Sequence, residues 1–485
     1  MADLIVHGGV VIPMDPARRI IDDGAVAMTG DRVVAVGPTE EILAAHEAPR
    51  RIDAARKLVL PGLIDVHAHA GHGLIKSMGA NTPGAWEELC GRVYTTGSTP
   101  EFWRAEAELA ALERLRFGVT CGVSLLGGGD TIMRSDDPVH AAAHCEGVLA
   151  VGVRDVVAIG PTRPPHPRTY ADWEGETRHD KQIDFETQLA TSAQVVKDWH
   201  KTHGERISVA LLTPVLRNEH LDELGPALLE EAMEQTRRVR QLSRDSGTIF
   251  TQDGHWRGSI QRAQEMGILG PDALLSHCID ISEAEIALCA ETDTKIAHNP
   301  SAIASVMGRC PATELMDAGV TVALGSDATA PDRSSDMFRH MQQCMHYHRT
   351  HFRDPDILPP GQVLAMATID AARALGMEQE IGSLESGKKA DLLLLDLARP
   401  HLYPLNMPAY RAVCFANGND VHSVIVNGEV VLENRRAVKI DETAVLETAQ
   451  LECERMIARN DAADLLGMPE DFFGPARQGE GMENE

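Results

Sequence analysis

The sequence predicts an α/β fold: a (β/α)8 barrel of the TIM type with a small composite β-sandwich domain drawn from both chain ends. Three observations lead there. From residue 61 onward, short apolar runs alternate with helical stretches, giving eight strand candidates once the run ending at His67 is counted. The stretches before and after that region read as sheet punctuated by glycine. The apolar run over 58–69 ends in two histidines, His67 and His69, at the kind of strand end where a barrel gathers its functional groups. The expected boundaries are 1–60 and 376–440 for the sandwich, 61–375 for the barrel, and 441–485 for a C-terminal helical segment ending in an acidic tail.

The elements follow in order. Leu4-Ile5-Val6, Gly24-Ala25-Val26-Ala27-Met28 and Arg32-Val33-Val34-Ala35-Val36 are short strands of a sheet that cannot be a complete domain by itself. Thr99 before Pro100 starts a helix with Phe102, Leu109, Leu112 and Leu115 on one face, and Gly118 stops it. Further strand candidates lie at 119–126, 155–160, 207–213, 247–251, 273–277, 294–297 and 320–325. Ser282 with Glu285 forms a capping box. A last barrel helix is expected over 359–376. Strands return at 390–396 and 423–426, the second turning at Asn427-Gly428, and they pair most simply with the early strands. An open doubly wound sheet would alternate in the same way, but no Gly-x-Gly-x-x-Gly follows the first strand.

Composition narrows the function. A formal net charge of -27 excludes nucleic acid and an anionic membrane surface as partners, since either calls for a basic patch. Nine scattered cysteines without a Cys-x-x-Cys pair fit a reducing cytoplasm. No apolar run approaches about 18 residues, and no basic stretch followed by an apolar core opens the chain, so the expectation is a cytoplasmic protein acting on a small molecule.

Period two places His67 and His69 on one side of the strand, half of a metal site. Alone, His-x-His is often chance. Other strand ends add Gln252, Asp253 and His255 on the fifth, His277 on the sixth, His298 after the seventh and Asp327 on the eighth. Any one could be structural, but joint placement on successive strand ends points to a site. His72, Trp86 and His298 are candidate substrate-binding residues, and for His72 and Trp86, as pocket walls, plain packing is the alternative.

Several stretches now read together: Pro61-Gly62-Leu63-Ile64-Asp65-Val66-His67-Ala68-His69, Ser276-His277-Cys278, His298-Asn299-Pro300-Ser301, Gly325-Ser326-Asp327 and Ile381-Gly382-Ser383-Leu384-Glu385-Ser386-Gly387-Lys388-Lys389-Ala390-Asp391. With them the chain, from about residue 3 to 435, resembles the amidohydrolase superfamily in its mononuclear branch of cytosine, guanine and adenosylhomocysteine deaminases and chlorotriazine hydrolases. The resemblance implies His67, His69 and Asp327 as metal ligands and His277 as the residue orienting the bound water. The fourth strand, 206–214, lacks the lysine of the binuclear branch, which implies one divalent metal ion: zinc first, with cobalt, iron or manganese as alternatives. It also implies a homo-oligomer.

The fifth strand departs from the family. Relatives end it in His-x-x-Glu, a metal ligand followed by a proton donor to the substrate ring; here Gln252 takes the first place and His255 the second. Glutamine is a neutral, weaker ligand than imidazole. The site is expected to bind metal less tightly, or to recruit Asp253 or His255 through a shift of the loop. A divalent ion lowers the pKa of its water to about 7. Asp327 is expected to take that water's proton, His277 to hold the hydroxide, and His255 to protonate the departing group. Loss of the glutamate weakens the case for ring deamination. It turns the expectation toward hydrolysis of a C-N or C-S bond in an amide, carbamate, thiocarbamate or urea-like compound, as in the phenylurea and thiocarbamate (molinate) hydrolases that the chain resembles. The alternatives are an aminohydrolase or dechlorinase of a purine, pyrimidine or s-triazine, and a metal-poor relative that binds without catalysis.

Three features stand aside. Gly127-Gly128-Gly129-Asp130 lacks the lysine of a phosphate loop and is expected to be a mobile loop over the barrel mouth. His340, His346, His348 and His351 fall on a helix over 336–351, where a second metal site is weighed against a barrel helix with some faces in solvent. The insertion 162–184 reads as a long loop.

Overall fold

The computed structural model describes residues 2–474 apart from 81, 83, 84, 130, 303, 305, 306, 331 and 471. Asp130 and the tail beyond 474 therefore lie outside the described residues. Eight parallel strands follow one another round a single sheet: β1 (Leu63–Asp65), β2 (Val119–Leu125), β3 (Arg154–Ile159), β4 (Ile207–Leu212), β5 (Phe250–Gln252), β6 (Ala273–Ser276), β7 (Lys295–His298) and β8 (Val322–Leu324). The sheet closes on itself. Asp327, just past β8, bridges in parallel to Ala68, just past β1. There Asp327 N donates to His67 O at 2.8 Å and Val66 N to Leu324 O at 3.1 Å. An open doubly wound sheet keeps two unpaired edges, so closure establishes the predicted barrel.

Strand composition accounts for the burial. β2, Val-Thr-Cys-Gly-Val-Ser-Leu, is buried at every position, as a parallel strand covered by helices must be. Closure also needs a glycine. A Cβ on Gly325 would stand 2.3 Å from Asn299 Oδ1 and 2.8 Å from His67 Cβ, so a larger residue would hold β8 away from β1.

Local signals hold where they are short-range. Thr99 Oγ1 accepts from Phe102 N at 3.3 Å and starts the helix Pro100–Arg116. Ser282 and Glu285 cap Glu283–Glu291 reciprocally. Asp336 caps Met337–Phe352. The helix expected over 359–376 is two, Pro360–Met366 and Ile369–Ala374. Between them Thr368 leaves helical geometry and its hydroxyl donates to Leu364 O at 2.6 Å, a local side-chain bond that competes with the helix. The insertion 162–184 is not a loop but carries an antiparallel hairpin, Arg168–Glu174 with Thr177–Ile183. Its second strand is almost wholly exposed, so no alternation marks it in the sequence; Tyr170 Oη to Met133 O at 2.9 Å and Trp173 Nε1 to Thr96 O at 2.7 Å anchor the first.

Both chain ends build one nine-stranded sheet. Its seam is Lys57–Pro61 running antiparallel to Leu392–Asp396, with Leu60 opposite Leu393. Period two then sorts the faces. Val59, Leu392, Leu394 and Ile425 join Leu4, Val6, Val26 and Met28 in an inner cluster, whereas Leu58, Leu60, Leu393 and Leu395 belong to the barrel's core. Asn427 and Gly428 have φ of 50° and 73°, the left-handed pair that a two-residue hairpin turn demands. No helix among the described residues is long and apolar enough to cross a membrane.

Two ion clusters pin this sheet to the barrel. Arg154 at the start of β3 reaches Asp391 Oδ2 at 3.0 Å and Asn427 Oδ1 at 2.6 Å, with Arg154 and Asp391 both buried. Removing one partner of a buried pair typically costs about 3–5 kcal/mol, because the other charge is left uncompensated. Asp391→Ala is therefore expected to lower the urea-unfolding free energy by that amount; a loss below about 1 kcal/mol would contradict the assignment. Nearer the surface, Glu429 accepts from Lys439 Nζ at 2.7 Å and Arg206 Nη2 at 2.8 Å. Lys439 first, then Arg206, hold its carboxyl at about 2, below its ordinary 4.5. A depressed pKa stabilises the fold above the unfolded value and ceases to do so as pH falls through the folded one. Glu429→Gln should thus cost up to about 1 kcal/mol at neutral pH, with the gap from wild type closing as unfolding is measured from pH 5 downward.

Candidate metal centre

The site is built on the closure of the barrel. Past β1, the bridges Ala68 to Asp327 and His69 to Leu125 keep the chain extended, so His67 and His69 project to one side with their rings 5.3 Å apart and nearly perpendicular. Asp327 arrives from β8 in a left-handed conformation, φ 62°, and His277 past β6 is likewise left-handed at φ 68°. Non-glycine residues held there are uncommon and concentrate at functional sites.

His67, His69, Asp253 and Asp327 converge. His67 Nε2 lies 3.3 Å from Asp253 Oδ1 and 3.5 Å from Asp327 Oδ1; His69 Nε2 lies 3.4 Å from Asp253 Oδ2 and 3.1 Å from Asp327 Oδ1. A tetrahedral ion with bonds near 2.1 Å spaces its ligand atoms about 3.4 Å apart; the four histidine-to-carboxylate separations sit near that value, with Asp253 presenting one oxygen to each histidine. Both carboxylates are held well below the usual range although burial opposes their charge, through His67, His277 and His69 for Asp253 and through His67 and His69 for Asp327. Burial works against protonating the imidazoles, yet the two carboxylates raise His67 to about 9 and His69 to about 10. A divalent cation would replace those two protons at equal charge. His67 Nε2 is buried with no hydrogen-bond partner among the described residues, so the donor set fits a metal ion.

Surrounding groups orient two of the four, His69 and Asp253. His69 Nδ1 lies 2.9 Å from Gly127 O, which directs Nε2 at the cluster. A Cβ on Gly129, at φ 82°, would stand 2.3 Å from Asp253 Oδ2. The glycine-rich stretch is thus not a free loop: Gly127–Gly129 pairs with Ile132–Met133 and lies against the centre. Asp253 Oδ1 also accepts from Ser276 Oγ at 3.0 Å and lies 2.9 Å from His277 Nε2.

At the fifth strand end Gln252, the anticipated ligand, turns its Nε2 toward β4, donating to Thr213 O, Thr213 Oγ1 and Pro214 O at 3.2–3.3 Å. Its Oε1 is buried with no hydrogen-bond partner among the described residues, while the carboxylate of Asp253 stands between the two histidines. His255 is fully buried, with Nδ1 2.8 Å from Ser259 Oγ. Burial pushes it down to about 3, more than the nearby Asp253 carboxylate offsets, which disfavours the imidazolium form.

His298 does not join the four. Its Nε2 lies 3.2 Å from His348 Nε2, beside Cys344, on the helix side of β7. The four helix histidines do not converge either, since His340 binds Ser301 Oγ and Ser334 O instead. His72 stacks on His69 at 4.9 Å and meets Trp86 at 5.3 Å and Tyr94 at 5.7 Å. These rings form an aromatic wall behind the centre. Tyr94, Ser259 and the Gly127 carbonyl escaped the sequence reading, because nothing in their local pattern marks them; Ser276 stood beside His277 in a motif already noted.

The sequence profile of the amidohydrolase family matches residues 58–431, and that of the imidazolonepropionase-like composite domain of bacteria matches 24–46. A 5-methylthioadenosine/S-adenosylhomocysteine deaminase of Syntrophobacter fumaroxidans is 30% identical over 92% of this chain and 96% of its own length. A 5'-deoxyadenosine deaminase of Methanosarcina mazei is 28% identical over 95% and 99%. Among solved structures, a zinc-bound adenosine deaminase from Xanthomonas campestris superposes with a TM-score of 0.79 at 23% identity, covering 94% of this chain and 99% of that one. An atrazine chlorohydrolase from Arthrobacter aurescens, complexed with zinc, gives 0.75 at 20% identity, covering 93% and 100%.

The geometry separates two neighbours in sequence. Asp253→Ala should cut metal content after dialysis at least tenfold, whereas Gln252→Ala should keep most of it; elemental analysis of both proteins decides, and the reverse order would restore Gln252 as the ligand.

Proposed function

The chain belongs to the amidohydrolase family, and we propose on that premise that it is a metal-dependent hydrolase cleaving the C-N or C-S bond of a small, uncharged amide, carbamate, thiocarbamate or urea-like compound. Hydrolysis at carbon-nitrogen bonds is the chemistry of its curated relatives. The narrower reading rests on one observation: His255, at the place where the family resemblance implies a glutamate, is fully buried, and burial pushes its ring down to about 3. A group that does not release a proton near neutral pH is a poor donor to a heterocyclic ring nitrogen.

His67, His69, Asp253 and Asp327 are the residues that would hold one divalent ion, zinc foremost. When bound, such an ion acidifies water to a pKa near 7 and polarises the scissile group. The chain's own groups do the rest. Asp327, kept ionised, accepts the proton of the attacking water and passes it to the departing nitrogen or sulfur as its bond to carbon breaks. His277, held 2.9 Å from Asp253, directs that water. Half-buried Trp86, backed by the buried rings of His72 and Tyr94, offers a planar or apolar substituent a face to pack on. A formal charge of -27 disfavours anionic substrates.

A second reading, aminohydrolysis or dechlorination of a purine, pyrimidine or s-triazine, draws support from the deaminase relatives. A non-catalytic binding role has the intact four-residue cluster against it. The test is a panel assayed with the metal-loaded protein: a phenylurea, an N-phenyl carbamate and an S-alkyl thiocarbamate for amine release, against adenosine, cytosine and a chlorotriazine for ammonia or chloride. The proposal expects kcat/KM at least 100-fold higher in the first set. Faster ammonia release from the heterocycles would install the second reading, and binding without turnover the third.

A further inference from the structure

A buried aspartate of the first strand does not touch the four clustered residues, yet it grips both segments that deliver them. Asp65 is fully buried. Its Oδ1 accepts from Ser326 N at 2.9 Å and, more weakly, from His67 N at 3.4 Å, while its Oδ2 accepts from Ser326 Oγ at 2.6 Å. One carboxylate therefore ties the backbone of His67 to the residue immediately before Asp327. That residue needs holding, because Asp327 is in the left-handed region at φ 62°, which costs a non-glycine residue free energy unless its surroundings enforce it.

The charge of Asp65 is compensated from outside the barrel wall. Arg114, on the helix Pro100–Arg116, comes within 3.9 Å of Asp65 Oδ2. It is fixed by Asp155 Oδ1 at 3.1 Å, Ser124 Oγ at 2.9 Å and Val123 O at 2.8 Å. Asp155 also accepts from Ser124 Oγ at 3.0 Å and lies 3.0 Å from His144 Nε2. The guanidinium passes where β2 has no side chain: a Cβ on Gly122 would stand 2.5 Å from Arg114 Cζ. Burial opposes its charge, but Asp155 and then Asp65 lift its pKa above the ordinary value. A buried carboxylate with a remote cation and three donors is expensive to keep unless it performs a task.

We propose that Asp65 is a positioning residue for the metal centre, clamping β8 to β1 through Ser326 so that His67 and Asp327 hold their separation, with Arg114 and Asp155 supplying the charge balance. This rests on the reading that His67, His69, Asp253 and Asp327 hold an ion. Outer partners of metal ligands typically govern about 10–100-fold in affinity.

The test is Co2+ titrated alone into the metal-stripped full chain, in competition with a chromophoric chelator, with thermal unfolding of the same apo proteins alongside. Asp65→Asn should weaken Co2+ binding about 10–100-fold, and Ser326→Ala, which removes one of the clamp's bonds, by a smaller factor of at least about fivefold. Tyr170→Phe, which removes the buried bond to Met133 O on the remote hairpin, should lower the apo unfolding temperature but bind Co2+ within about threefold of wild type. If Asp65→Asn does not fold, Ser326→Ala against Tyr170→Phe still decides. Equal binding by wild type, Asp65→Asn and Ser326→Ala overturns the clamp while leaving the metal reading intact. A loss in Tyr170→Phe equal to that in Ser326→Ala reduces it to general stability. A wild type that takes up no Co2+ overturns the metal reading and the clamp with it.

Discussion

The backbone bond from Asp327 N to His67 O, 2.8 Å long, joins the last strand of the barrel to the first, and the centre depends on it. Seven of the eight strand-to-strand seams are made by extended pairing along neighbours in sequence. The eighth is short, made beyond the ends of β1 and β8, and is reached only because Gly325 lacks a side chain. Strands this short owe their position to what surrounds them. The outer helices, the buried apolar faces and the composite sheet hold the barrel to a circumference at which the two ends meet, and the ligand-bearing residues lie at that meeting point.

Electrostatics gives the same place its chemistry. Two carboxylates and two imidazoles share a volume from which water is largely excluded, and isolated charges there are costly. The four can coexist only if positive charge sits among them, as two imidazolium protons or as one divalent cation. The convergence of their ligand atoms favours the cation. The neighbouring His277 and the backbone carbonyl of Gly127 extend the arrangement outward, so that Asp253 and His69 are aimed rather than merely nearby.

Much of this was legible in the sequence because it is local or periodic. The alternation of apolar runs and helices, the caps at Thr99 and Ser282, the Asn427-Gly428 turn and the convergence of His67, His69 and Asp327 on strand ends need only short-range rules. What was not legible depends on tertiary competition. Gln252 and Asp253 are adjacent at a strand end, and that the Gln252 amide nitrogen faces the acceptors of Thr213 and Pro214 while Asp253 stands between the histidines depends on the neighbouring strand. The complete burial of His255 likewise depends on distant segments. The hairpin within 162–184 is held by Tyr170 and Trp173 reaching distant carbonyls, and the role of Gly127 lies in its backbone, which no side-chain pattern reports.

The most direct test of the account is anomalous diffraction at the zinc edge from crystals of zinc-loaded protein. The account predicts one strong peak in the barrel mouth, within bonding distance of His67 Nε2, His69 Nε2 and a carboxylate oxygen each of Asp253 and Asp327. No peak there, or a peak coordinated by Gln252 with Asp253 turned away, would contradict it.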